Sequence, residues 1–180
     1  MSLLLPTFNG ETRIASPGPL FLEAMKARTE TGLLMAKPHW RSRYVVTSHT
    51  DQELAFRAAD FPTAINVGLN DVVLRIRQNH YVEYSVSYVR WAAYVVALGA
   101  LLGMALIVVF LFSQDSIARY AQPVANRKLG LGLFWALVLF WAFVWPWILI
   151  MMHRPFARKL LTRIIREVDL AGGTTSRMGE

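Results

Sequence analysis

The chain has 180 residues, 54 % of them hydrophobic, with 19 Lys and Arg against 12 Asp and Glu and no cysteine. The lack of cysteine excludes a disulfide scaffold, thiolate catalysis and cysteine-ligated zinc. Residues 1–90 carry ten basic and eight acidic side chains, 113–128 three and one, and 153–180 six and three. The basic excess therefore lies largely beside two uncharged stretches, where anionic headgroups attract Lys and Arg, and does not form a nucleic-acid patch on the polar part.

The N-terminal M-S-L-L-L-P-T has no basic region and its apolar run is short, so a secretory leader is not expected and residues 1–90 are placed in the cytoplasm. Residues 1–19 are turn-rich. Asn9-Gly10 suits a two-residue hairpin, but Pro6 and S-P-G-P limit any strands to edges, so a loosely tied lead-in is expected. Pro19 to Glu30 reads as a helix with an apolar stripe of Leu20, Phe21, Ala24, Met25 and Ala27, ended by Gly32.

Leu33 to Ala36 suggests a short strand, and Arg43 to Thr47 is rich in β-formers. Residues 51–60 fit either the return strand of a hairpin or a helix opened by a T-D-Q-E capping box. The strand is preferred, with Tyr44 opposite Phe56 and Val46 opposite Leu54; that register also sets Arg43 against Arg57, which counts against it. Asn66, Asn70 and Asp71 read as turn formers.

Val72 to Val89 carries the clearest β pattern. A three-residue loop at Gln78 to His80 pairs Ile76 with Val82, Leu74 with Tyr84 and Val72 with Val86, and sets Arg75 against Glu83 on the other face. A one-residue slip exchanges the faces, which favours this loop over a two-residue one. Asn79 or His80 is then expected in the left-handed conformation.

Trp91 to Phe112 and Leu129 to Met152 contain no charged residue. Each exceeds the roughly 20 residues that a helix needs to cross about 30 Å of hydrocarbon. Arg90, Trp91 and Tyr94 are expected at headgroup level. Gly99 and Gly103 form G-x-x-x-G, which fits a dimer seam or contact with the chain's own second helix. Pro146 is expected to disturb the second helix, because it has no N–H to give to the carbonyl of Ala142. Beyond Met152, Phe156, Leu160, Leu161, Ile164, Ile165 and Val168 share one helical face, from Pro155 to a stop at Gly172-Gly173. Arg158, Lys159, Arg163 and Arg166 lie opposite. Such a helix fits the bilayer interface, or packing on the sheet or on a second copy.

The expected architecture is α+β. A small cytoplasmic domain of one helix and an antiparallel β-meander spans 1–90. A two-helix transmembrane hairpin follows at 91–152, with spans at 91–112 and 129–152, and then a basic amphipathic helix and disordered tail at 153–180. Both termini are expected in the cytoplasm, since arginines cluster before the first span and after the second.

His39, His49, His80 and His153 are scattered without metal-ligand spacing, Asp51 and Glu53 read as turn residues, and no nucleotide or nucleophile motif occurs. No catalytic residue, metal or cofactor is therefore expected. The expected function is a non-enzymatic membrane protein with a docking or regulatory domain. Its partners would be an anionic lipid bilayer and a protein partner or homo-oligomer, with no nucleic acid. Two alternatives are a lipid-binding pocket lined by Leu20, Phe21, Met25, Leu74 and Tyr84, and a subunit of an oligomeric channel.

Overall fold

A computed structural model describes residues 6–33, 43–78, 80–120 and 124–177. The fold is α+β: a five-stranded antiparallel sheet followed by helices, two of them long and apolar enough to cross a membrane. In chain order the elements are β1 (Thr7–Arg13), α1 (Gly18–Thr31), β2 (Tyr44–His49), β3 (Glu53–Ala58), α2 (Phe61–Val67), β4 (Asp71–Gln78), β5 (Tyr81–Ser87), α3 (Val89–Tyr120), α4 (Val124–Leu139) and α5 (Trp145–Arg177). The chain divides into two compact units, Met1–Trp91 with His153–Glu180, and Ala92–Met152. The sheet unit is thus built from both ends of the chain, where the sequence had suggested a separate domain at 1–90 and a separate helix at 153–180.

The sheet order is β1-β5-β4-β3-β2. β4 and β5 pair as expected, with Val72 opposite Val86, Leu74 opposite Tyr84, Arg75 opposite Glu83 and Ile76 opposite Val82. An irregularity between Ile76 and Gln78 brings Gln78 opposite Tyr81; Asn79 lies outside the described residues. Residues 53–58 form a strand, but its register against β2 is shifted by two from the expected one. Tyr44 faces Ala58 and Val46 faces Phe56, with a bulge before Ser48. A shift of two keeps every side chain on its face. It also relieves the expected Arg–Arg opposition, since Arg57 now faces Val45.

Two elements depart from the expected helix-plus-meander. The lead-in is β1, an edge strand paired with β5 from Thr7–Ser87 to Arg13–Tyr81. Gly10 is required there, because a Cβ would run into the Tyr84 ring, with Cε2 only 2.8 Å away. The other addition is α2. Asp60 caps it by accepting from the Thr63 N–H at 2.8 Å, Pro62 sits in its first turn, and it ends at Gly68 with φ +70°. Of the strand expected over Leu33 to Ala36 only Leu33 is described, and it is buried; 34–36 lie outside the described residues.

One sheet face forms the core with Phe8, Leu54, Phe56, Val72, Leu74, Val82, Tyr84 and Val86. α1 adds Phe21, Leu22, Met25 and Thr29, a stripe turned away from the expected one, so that Leu22 is inside and Leu20 is 61 % exposed. From Ala157 on, α5 buries Ala157, Leu161, Ile164, Ile165 and Val168, the i, i+4, i+7, i+8, i+11 spacing of one helical face. Its amphipathic face therefore belongs to the core of the sheet unit and is not laid in a bilayer interface. Pro155 lies inside α5, and the helix passes Gly172 and Gly173 to end at Arg177; 178–180, the last of the expected disordered tail, lie outside the described residues.

In the second unit the helices pack on each other in antiparallel register. A Cβ on Gly99 would meet Pro146 and the Trp141 carbonyl at 3.0 Å, one on Gly103 would meet Ala142 Cβ at 2.8 Å, and the Phe110 and Phe134 rings stack at 4.3 Å. A π turn at Phe140–Val144, with the Trp145 N–H donating to Phe140 O, widens the helix just ahead of Pro146. The polar link expected over 113–128 is helical through Tyr120 and again from Val124, with 121–123 outside the described residues.

Burying Leu161, Ile164, Ile165 and Val168 contributes roughly 6–12 kcal/mol together, an upper estimate comparable with the 5–15 kcal/mol net stability of a whole domain. A chain ending at residue 91 is therefore expected not to unfold cooperatively. A chain in which a short Gly-Ser linker replaces 92–152 is expected to do so, and thermal circular dichroism of the two distinguishes these outcomes.

Candidate functional site

The sheet unit releases the chain at Trp91 and takes it back at His153. The indole of Trp91 and the imidazole of His153 stack at 4.0 Å and 18°. Tyr88, 1 % exposed, lies under both, 5.3 Å from His153 and 6.4 Å from Trp91 between ring centroids. His153 Nε2 lies 3.3 Å from the Gly68 carbonyl, so the tautomer that bonds there carries its proton on Nε2. Gly68 is needed twice: for its positive φ, and because a Cβ would occupy the place of the His153 ring.

Asn70 binds this junction to the sheet. It is fully buried and all its groups are used. Its side chain donates Nδ2 to the Ala64 carbonyl at 2.9 Å and accepts the Trp91 N–H on Oδ1 at 3.0 Å. Its N–H donates to Ser87 O at 3.1 Å, and its carbonyl accepts from Ala58 N at 2.8 Å. Trp91 is the third residue of α3, so Asn70 satisfies from a distance one of the N–H groups that a local N-cap would take. Tyr88, just before the helix, has no short side-chain oxygen for that task. Arg90 adds a bond from Nη1 to Ala58 O at 3.1 Å and an ion pair with Asp71 at 3.7 Å.

The other end of the unit is tied by α5. Asp169 accepts from the N–H groups of Ala15 at 2.8 Å and Ser16 at 2.9 Å, just ahead of α1. Pro17, the residue before α1, supplies no side-chain cap, and the carboxylate puts negative charge near the positive end of the helix. Arg158 donates to the Asn9 carbonyl at 2.9 Å, covering a free acceptor of edge strand β1.

The residues singled out from the sequence fall in different places. Arg90 and Trp91 are in the junction, and Tyr94 is one turn farther along α3, 36 % exposed. Gly99 and Gly103 face the second apolar helix. Lys159, Arg163 and Arg166 are exposed on α5, with Arg163 paired to Glu167 at 2.8 Å and Glu167 also 3.7 Å from Arg28. Phe21, Met25, Leu74 and Tyr84 are packed in the core, whereas Leu20 faces outward, so these five side chains do not line a common pocket. Asn70, Gly68, His153 and Asp169 were not recognised as structural determinants. Their partners lie as far as 154 residues away, and no local spacing announces them.

Among the described residues no group of three or more His, Cys, Asp or Glu could hold a metal ion. Comparison with protein-family models, curated proteins and solved structures gives no match.

Asn70→Leu leaves the Ala64 carbonyl and the Trp91 N–H unpaired inside the unit, and is expected to cost about 2–4 kcal/mol, read as a lowered Tm in detergent.

Burial holds the His153 imidazole below its ordinary value of 6.5, partly offset by the Gly68 bond. As pH falls, the unfolded chain takes up this proton first. The stability contributed by neutral His153 is therefore present above pH 6.5 and lost as pH falls through the folded-state value. Thermal unfolding of His153→Gln is expected to lose less stability between about pH 7 and pH 5 than that of the parent chain; equal pH slopes would contradict this.

Proposed function

We propose that this is a non-enzymatic integral membrane protein whose sheet unit is a docking or regulatory module held at the cytoplasmic face. α3 and the apolar run up to Met152 would cross the bilayer as a hairpin, with both chain ends inside. The observation that supports this best is the junction. The folded unit is interrupted by two uncharged stretches, and the residues at which it releases and regains the chain are held together by the Trp91–His153 stack. A folded unit interrupted in this way would be held at the membrane through both of its chain crossings, which suits presenting a surface to a partner.

The surface with the best claim is the sheet face turned away from the core. Across it Asn9, Ser85, Val73 and Ala55 stand in one row, and Glu11, Glu83, Arg75 and Glu53 in the next. Arg75 and Glu53 are paired at 2.7 Å. Asn9, Glu11, Arg75 and Ser85 are exposed, a polar strip of the kind a protein partner meets by complementary hydrogen bonds and charges. An apolar lipid pocket between α1 and the sheet has less support, given the packed core and the outward Leu20.

The full chain, purified in mild detergent, is expected to retain a protein partner, and Ser85→Trp with Glu11→Lys is expected to release it without lowering Tm, since Glu11 is exposed and lies opposite Glu83. Retention unaffected by these substitutions, or turnover of a substrate by the purified protein, would count against the docking module. A chain that stays in solution without surfactant would remove the membrane hairpin, and cleavage of either end by a protease outside intact cells would reverse the orientation.

A further inference from the structure

α5 cannot turn its apolar face to a bilayer, because Leu161, Ile164, Ile165 and Val168 are inside the sheet unit. What it offers outward beyond Phe156 is mostly charge, with Leu170 exposed near its end. Arg158, Lys159, Arg163 and Arg166 are all exposed, and the acid among them, Glu167, is already engaged by Arg163 and Arg28. At 100° per residue Lys159, Arg163 and Arg166 fall within about 60° of one another, opposite the buried face. Arg158 lies at the margin, where it reaches the Asn9 carbonyl.

Distance from the apolar run separates these cations. At about 1.5 Å per helical residue from Met152, Arg154 stands about 3 Å along the axis, Arg158 about 9 Å, Lys159 about 11 Å, Arg163 about 17 Å and Arg166 about 21 Å. The polar layer on each side of a bilayer is about 5–8 Å thick, and the field of an anionic surface fades over a Debye length of about 8 Å. Arg158 and Lys159 lie within that combined reach, and Arg166 lies outside it.

We propose that Arg154, Arg158 and Lys159 hold anionic phospholipid headgroups, and that the binding is graded along α5, falling with distance from Met152 and nearly absent at Arg166. This rests on the membrane reading above. The occupant is lipid and not a soluble acidic protein because these cations are tethered next to the apolar run, where charged headgroups are in permanent excess. A soluble acidic partner would instead favour Arg163 and Arg166, which lie farther along α5 from the apolar run.

The test uses the full chain in nanodiscs of phosphatidylglycerol and phosphatidylcholine in equal amounts. It is extracted in mild detergent, and native mass spectrometry counts the lipids retained. Enrichment in phosphatidylglycerol is expected, falling about fivefold with Lys159→Gln and less than about twofold with Arg166→Gln, since one cation near an anionic surface is worth about that factor. Incorporation with no preference for phosphatidylglycerol overturns the inference and leaves the membrane reading standing. Equal losses for the two variants overturn the graded assignment. Failure to incorporate into the nanodisc overturns both.

Discussion

A folded unit that gives up its chain to another segment must receive it back at the same place, and here that place is the face-to-face contact of Trp91 and His153. Aromatic stacking by itself is worth only about 0.5–1.5 kcal/mol beyond the area it buries. Its importance lies in what converges on it. Asn70 joins the turn after α2, the ends of β3 and β5, and the first turn of α3. Gly68 clears the space for the imidazole that comes from the far end of the chain. Tyr88, Asn70 and Gly68 are buried there, and Trp91 and His153 are partly covered.

The same junction explains why the fold was only partly legible in the sequence. The β4–β5 register from Val72–Val86 to Ile76–Val82 could be read from the sequence, because apolar pairs on one face and the Arg75–Glu83 pair on the other exclude the alternative; the irregularity that puts Gln78 opposite Tyr81 in place of a loop position could not. For β2 and β3 the face was legible and the register was not. Only one face is patterned there, a slip of two preserves it, and the bulge before Ser48 has no local signature. β1 was obscured by Pro6 and Asn9-Gly10, which look like punctuation. Gly10 instead makes room for Tyr84, a requirement that arises only when β5 lies alongside. α2 is seven residues long, too short for helical periodicity to register, and its Asp60 cap and Pro62 read equally well as a turn.

The C-terminal helix shows a different limit. Its periodicity was plain and marked Leu161, Ile164, Ile165 and Val168 for burial, but it also included Phe156, which is 63 % exposed, and passed over the buried Ala157. Periodicity records only that one face is apolar and says nothing of whether hydrocarbon or protein covers that face. Asp169 carried the information that was missing. On an exposed amphipathic helix it would be an ordinary solvated acid, whereas here it accepts two backbone N–H groups ahead of α1 and fixes the helix in its place.

The Gly99 and Gly103 pair illustrates how that ambiguity is resolved within an apolar environment. In hydrocarbon there is little hydrophobic gain in bringing two helices together, so close approach depends on small residues and shape. Pro146 and Ala142 fill the two places where glycine leaves the α3 backbone bare. Those contacts use the small-residue seam inside the chain, which leaves larger side chains such as Leu101, Met104, Val109 and Phe143 pointing outward. A partner that recognises this protein through its apolar helices would then have to meet bulky side chains, which pack less closely than a glycine seam. The open face of the sheet unit is by contrast polar, with Asn9, Glu11, Arg75 and Ser85 exposed on it.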